Sequence, residues 1–247
     1  MKSVESPKPP DAPWRSGVQG ARANLVPAVV LQVVAVALVL GYYYVPDVHG
    51  ALARLAEFRE KSGVGFGIVS TGLFGGLLPF LYIRLGKRDS EGHPRYSWGQ
   101  GFWLTAFWAY KGLEVGIWYG VQAHVFGAGH DVGTIVVKVF MDQFVYCPAF
   151  AVPVTVAVYR AVDAGTLAAP RADMIEGGWY RKRVLPVLLS NLGVWVPAVA
   201  AIYCLPTPLQ LPMQNMVLCF YTLVVAHQMR EPGASFPDRP GDKPVSA

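Results

Sequence analysis

Lys138, Asp142 and Gln143 stand inside an otherwise apolar run covering residues 132–159. An ionisable side chain near a bilayer centre costs about 2.5–3.5 kcal/mol on insertion scales, so charge at this depth implies either a packed partner or a watery cavity. Thr134, Lys138, Asp142 and Tyr146 recur every four residues and so share one helix face. Lys138 and Asp142 are spaced to pair at i, i+4, which would lower the cost of burying both. The stripe has two readings. It is the wall of a pore or cavity with Asp142 as gate or cation site, or it is interhelical glue, with Asp142 and Gln143 hydrogen-bonding to neighbouring helices.

A second polar stripe lies just upstream, where Lys111, Glu114, Trp118 and Gln122 follow i, i+3, i+7 and i+11. Glu114 is placed either to partner Lys138 across the bundle or to share a cavity, and a proton, with Asp142. Asn191, next to Ser190, is a polar interruption in a later apolar run and either lines the same cavity or bonds helix to helix; Gln214 and Asn215 offer the same choice. The candidate cavity- or pore-lining set is therefore Lys111, Glu114, Lys138, Asp142, Gln143 and Asn191.

These residues need long apolar helices to hold them, and the composition provides them. The chain is 53% hydrophobic and only 15% charged, against about 25% charged in soluble domains, with 26 Gly and 20 Pro scattered through its apolar runs. Six windows of about 20 mostly apolar residues read as spanning helices: 25–44, 64–85, 102–125, 132–159, 184–204 and 209–228. The fourth is long enough to tilt or kink, with Pro148 and Pro153 in its second half. Pro206 and Pro208 force a tight turn before the sixth. With six spans, sixteen of the flanking Lys and Arg fall on one side and three, Arg54, Arg59 and Lys61, on the other. The positive-inside rule then puts both termini on the cytoplasmic side, or on the matrix side of a mitochondrial inner membrane. The expected fold is one all-α domain, 24–229, a polytopic transmembrane helix bundle between disordered segments at 1–23 and 230–247.

Glycine patterning suggests how the helices approach. Gly112, Gly116 and Gly120 form two overlapping Gly-x3-Gly steps, and Gly63, Gly67, Gly72 and Gly76 form two pairs at the same spacing. Both sets read as packing surfaces, the earlier one also as a seam for a homo-oligomer. The net charge of +5 is accounted for by flanking residues that meet anionic lipid headgroups, so the bilayer is the expected partner and nucleic acid is not. Cys147, Cys204 and Cys219 lack disulfide or metal-ligand spacing, and the histidines pair with no second ligand, so no metal or cofactor is expected. The loops hold no phosphate loop, dinucleotide fingerprint or nucleophile elbow, and an enzyme is not expected. Glu5, Asp11 and the prolines at 7, 9, 10 and 13 argue against a transit peptide.

Three stretches together resemble a known family. Gly112-Leu-Glu-Val-Gly116-Ile-Trp118-Tyr119 is similar to a Gly-Pro…Trp-Tyr motif, and Lys138-Val-Phe-Met-Asp142-Gln143-Phe-Val-Tyr-Cys-Pro148 to a Lys-x3-Asp-Gln-x4-Pro motif; Trp179, Asn191, Trp195 and Pro197 resemble a closing Trp…Asn-x3-Trp-Pro signature. The family is that of the Mpv-seventeen protein and the twenty-two-kilodalton peroxisomal membrane protein, small multi-pass integral membrane proteins. The resemblance covers roughly 64–229, with the 25–44 helix in front of it. Leu113 replaces the family's Pro, Val196 separates Trp195 from Pro197, and the residues expected around the last hairpin are not recognisable. The resemblance implies a channel-like or permeability role in a mitochondrial inner or peroxisomal membrane. A bacterial plasma membrane fits the charge rule equally well. A proton-coupled transporter and a structural, membrane-organising protein remain the alternatives.

Overall fold

The computed structural model describes residues 25–86, 94 and 96–228, and every element among them is helical. The terminal segments expected to be disordered lie outside the described residues. Eight helices follow in order: α1 Leu25–Tyr44, α2 Pro46–Ser62, α3 Val64–Gly86, α4 Trp98–Phe126, α5 Val132–Ala164, α6 Ala168–Ile175, α7 Tyr180–Tyr203 and α8 Thr207–Gln228. Three of them, α3, α5 and α7, are long and apolar enough to cross a membrane. Ala28–Tyr44 and Pro46–Ser62 meet at 100° and add a fourth crossing if the bent pair is one broken span.

One window expected to span, now α4, falls short on hydropathy, and burial explains why. Lys111 and Gln122 of α4 and Gln210 and Asn215 of α8 are polar but turned inward and buried. Phe102, Trp103, Tyr110, Ile117, Val121 and Val125 of α4 point outward and are exposed. Averaged over its length, such a helix scores as polar although its outer face is apolar.

Residues 46–62, read from sequence as a loop carrying Arg54, Arg59 and Lys61, are instead α2. Pro46 supplies the preset φ of a first helical position, Asp47 sits in the first turn, and Arg59 and Lys61 sit in the last, all favourable to the helix dipole. Leu52 is buried and packs into the main core, with Leu55 and Ala56 against it. The connection to α3 turns at Gly63, whose φ of 55° favours glycine.

The helices alternate in direction, and side chains tie matching ends together. At one end, the Tyr43 hydroxyl donates to the Cys204 carbonyl at 2.6 Å, and the His130 ring nitrogen lies 3.2 Å from the Tyr203 carbonyl. At the other, Gln100 donates to the Val162 carbonyl at 2.9 Å, after closing a capping box with Ser97 at the start of α4. Asp173 of α6 bridges Arg160 of α5 (2.9 Å) and Arg183 of α7 (2.8 Å) at this same end. The largest core cluster joins Val194, Ala198, Val199, Ile202 and Tyr203 of α7 to Leu209, Leu211, Met213 and Val217 of α8, with Val115 and Tyr119 of α4 and Leu31 of α1.

The tightest crossing is α3 on α4. A Cβ on Gly112 would strike the Gly67 carbonyl, and one on Gly76 would come within 2.7 Å of the Thr105 Cα. Gly72 sits against Ala109, and Phe80 covers Gly101. In lipid, where apolar burial does not drive one helix onto another, backbone approach of this kind supplies much of the association. The expected three-glycine stripe of α4 is only partly used. Gly112 is in contact, Gly116 has one neighbour, the Leu211 Cδ2 at 3.6 Å, and Gly120 faces open space. Gly120 is therefore not a packing residue, because α3 begins too late to reach its level.

Gly112→Ala is expected to destabilise the protein by about 1–3 kcal/mol through overpacking, and Gly120→Ala to be neutral or slightly stabilising; thermal unfolding in detergent separates the two. The hydrogen bond from Arg160, and then the charge of Arg183, hold the Asp173 carboxyl below the usual carboxylate range. A depressed carboxylate stabilises fully above its unfolded value of about 3.9 and loses that contribution as pH falls through the lower folded value. Wild type should accordingly melt higher than Asp173→Asn at neutral pH, and the two curves should converge as pH falls through the lowered folded value.

Candidate functional site

The two polar stripes face each other across the α4–α5 interface. From Val132 to Phe140 α5 is an ordinary α-helix started by Asp131, whose side chain accepts from the Thr134 backbone at 3.0 Å and from the Thr134 hydroxyl at 2.6 Å. From Met141 to Ala151 it widens into π-helical winding, a segment that contains Pro148. A proline in a regular helix loses one hydrogen bond and crowds the carbonyl four residues back, and a wider turn relieves that crowding. The Pro148 carbonyl accepts a hydrogen bond from the Tyr180 hydroxyl at 2.9 Å, which pins the start of α7 to this segment. The widened turn also brings Asp142, Gln143 and Cys147 to the buried side together.

Around them the polar groups form a connected cluster. The Trp118 indole stacks on the Tyr146 ring at 4.6 Å and donates its N–H to Asp142 Oδ1 at 2.7 Å. Gln143 Nε2 donates to the other carboxylate oxygen, Oδ2, at 2.9 Å. Glu114 Oε1 accepts from both the Tyr146 hydroxyl and the Lys111 ammonium. Glu114 Oε2 and Gln143 Oε1 are buried with no hydrogen-bond partner. Lys111 is 5% exposed, Asp142 6% and Gln143 2%, so two opposite charges and an amide are removed from solvent within a few turns of helix.

Lys138 lies one turn before Asp142 but does not pair with it. No ion pair joins the two among the described residues, and the Lys138 ammonium stands over the Tyr203 ring, 5.8 Å from its centroid. Glu114 likewise pairs with Lys111 of its own helix rather than with Lys138. The reason in both cases is geometric: Trp118 already occupies the Asp142 oxygen, and Lys111, three residues before Glu114, reaches it within one turn.

A second polar layer adjoins the first. Gln122, fully buried, satisfies both ends of its amide when its oxygen accepts from the Tyr203 hydroxyl and shares the Trp118 indole N–H (2.9 Å) with Asp142, and its nitrogen donates to the Lys138 carbonyl (3.2 Å). The Tyr119 hydroxyl donates to Gln214 Oε1, and its ring meets that of Tyr203 edge-on at 5.5 Å. Farther along α8, Asn215 accepts from the Thr71 hydroxyl and donates to the Ser70 hydroxyl, both at 2.8 Å. Tyr203 and Thr71 carry part of this layer and were not singled out from sequence. A tyrosine at a helix end reads as an interfacial anchor, and a threonine among glycines carries no periodic signal.

The structure thus brings together Lys111, Glu114, Trp118, Asp142 and Gln143, with Lys138 and Tyr119 in the adjoining layer. Asn191 is half-buried on α7 and shares no hydrogen bond with this network. Trp195 meets Tyr221 edge-on at 6.3 Å, and Pro197 is exposed. Two cavities bounded by described residues have linings that omit all six pore-lining candidates. At this level the polar side chains pack against one another across the α4–α5 interface. No group of three or more His, Cys, Asp and Glu is placed to hold a metal ion among the described residues.

Compared with known proteins, the chain matches no family model, no curated protein and no solved structure. The cluster is therefore read on its own chemistry. It can donate, accept and exchange protons among groups shielded from lipid, and it has two acceptor oxygens free to take a further donor or cation.

Trp118→Phe keeps the ring stack and deletes the N–H that Asp142 accepts. It should cost about 1–3 kcal/mol, the penalty for a buried acceptor losing its donor. In a double-mutant cycle with Asp142→Ala, which removes the acceptor, read by thermal unfolding, the two changes should be coupled by at least about 0.5 kcal/mol.

Proposed function

We propose that this chain is a six-pass integral membrane protein with a channel-like or permeability role for small solutes or ions, and that the packed α4–α5 cluster is its closed gate. Several apolar helices make contact with a lipid bilayer the natural setting. In the proposed topology α1, α3, α4, α5, α7 and α8 cross, while α2 and α6 lie along the two surfaces. The alternating helix directions, the inward polar faces of α4 and α8, and the sixteen-to-three division of basic residues support that count. The resemblance to the Mpv-seventeen family, and with it a mitochondrial inner or peroxisomal location, rests on the three motifs alone and belongs to the same proposal.

The observation that carries the functional reading is the cluster's composition. Neutral side chains suffice to glue helices together, as Thr71 and Asn215 do between α3 and α8. Between α4 and α5 the protein instead buries a lysine and two carboxylates at bilayer depth, in a π-helical segment, and leaves Glu114 Oε2 and Gln143 Oε1 unpaired. Intramembrane ionisable residues and π-helical turns both concentrate where something is bound or moved. Rotation of Trp118 away from Asp142 would open a polar route between the helices. The same carboxylates would serve a proton-coupled transporter. The scaffold reading draws on a different observation, the packed state of the cluster.

Planar-bilayer conductance of purified protein, wild type beside Asp142→Asn, across pH and a cation gradient, decides between them. The isosteric variant keeps the Trp118 contact and removes the charge. Conductance in wild type with altered magnitude or selectivity in the variant is the expected result. A well-folded wild type that conducts nothing and passes no solute into liposomes would leave the scaffold reading.

A further inference from the structure

α3 and α4 touch backbone to backbone at Gly67 and Gly112 and then splay apart toward the end of the bundle that α2 covers. The wedge between them is an open groove of about 300 Å³. Its walls are made largely of missing side chains: Gly63 and Gly67 on one side, Gly112 and Gly116 on the other, with Leu211 of α8 as the floor. Val64 and Ile117, both more than half exposed, form an apolar rim facing outward. At the mouth stands Arg59, in the last turn of α2, and its Nε is buried without a hydrogen-bond partner.

We infer that this groove is a binding site for an anionic phospholipid, with the headgroup phosphate on Arg59 and the first part of an acyl chain in the glycine wedge. Water is a poor occupant, because an apolar cleft large enough for about ten molecules at ~30 Å³ each offers them almost no partners. A second helix does not fit, since the wedge runs only from Gly112 to Ile117, about 7.5 Å at 1.5 Å per residue. A flexible chain of methylenes fits both the width and the apolar walls. The guanidinium supplies the specificity, because it offers paired N–H donors matched to phosphate oxygens and one of its donors has nothing else to bind. Glu57 of α2 is engaged by Lys61 at 2.7 Å, and no ion pair joins Arg59 to an acid among the described residues, which leaves it for the lipid. The site requires only that the bundle sit in a bilayer and is independent of whether the α4–α5 cluster conducts.

The test is native mass spectrometry of the full chain, released from nanodiscs containing phosphatidylglycerol and phosphatidylcholine in equal amounts. Wild type should retain one phosphatidylglycerol in preference to phosphatidylcholine. Arg59→Gln should lose that preference by about tenfold, the worth of one charged hydrogen bond, and Arg59→Lys should recover part of it. Gly116→Leu, which fills the wedge, should lose retained lipid of both kinds. A photoreactive acyl chain in wild-type protein gives a reading independent of how the variants fold, and should label residues 112–117 of α4. Equal phosphatidylglycerol retention in wild type and Arg59→Gln, or labelling confined to other helices, would overturn the proposal. So would displacement of the lipid by millimolar inorganic phosphate, which would reduce the site to a free-anion site.

Discussion

At bilayer depth an unmet hydrogen-bonding group has no water to turn to, and the interior of this bundle is organised around that constraint. Lys111, Glu114, Trp118, Tyr119 and Gln122 of α4 point inward, and each meets a donor or acceptor from a different helix. Trp118 reaches Asp142 on α5, Gln122 reaches Tyr203 on α7, and Tyr119 reaches Gln214 on α8. Interhelical bonds in membranes average only about 0.6 kcal/mol each, so no single one holds the fold. Their joint effect is on orientation, because a helix cannot rotate without exposing several groups to hydrocarbon at once. α4 is in this sense the reference helix, and α5, α7 and α8 are set in angle by what it presents.

The apolar helices themselves were legible in the sequence because length and hydropathy define them directly. α1 was read with its observed bounds, and α3 to within one residue, since runs of Leu, Val and Phe end abruptly at Gly, Pro or charge. The inward direction of Lys111, Trp118 and Gln122 was legible too, from spacing alone. α2 was missed because it scores as polar, although Pro46, Asp47 and the Leu52, Leu55, Ala56 set mark a surface helix with one apolar face. Partner choice was the least legible feature. The Lys138–Asp142 pair assumed regular winding and an unoccupied carboxylate, and neither holds once Trp118 arrives from another helix. Nothing in one chain's periodicity states which residue of a second helix will sit opposite.

Close packing and charge burial support each other in this fold. The α3–α4 crossing at Gly67 and Gly112 brings two backbones together just where Lys111 and Glu114 lie on the adjacent face of α4. With α3 drawn tight on one side, α4 has little freedom to move away from α5 on the other, and the cluster stays shielded from lipid. The crossing also marks where the two helices begin to diverge. One contact therefore both seals the polar interior and leaves the outward-facing wedge beside it.

The π-helical stretch of α5 has a consequence for reading this helix as a linear object. Each residue added to a turn rotates everything beyond it by about 100° relative to a regular helix. The half of α5 that carries Lys138 and the half that carries Tyr159 are thus out of phase with one another, and a helical wheel drawn through both assigns the wrong face to one of them. The segment works as a phase shifter: it lets one helix show its polar side to α4 and α7 at one level and its tyrosine to Trp108 at another. A one-residue deletion between Gln143 and Ala151 would turn the Tyr159 half by about 100° relative to Asp142, and in doing so would carry the tyrosine off the side that meets Trp108 in a helix that had otherwise lost nothing.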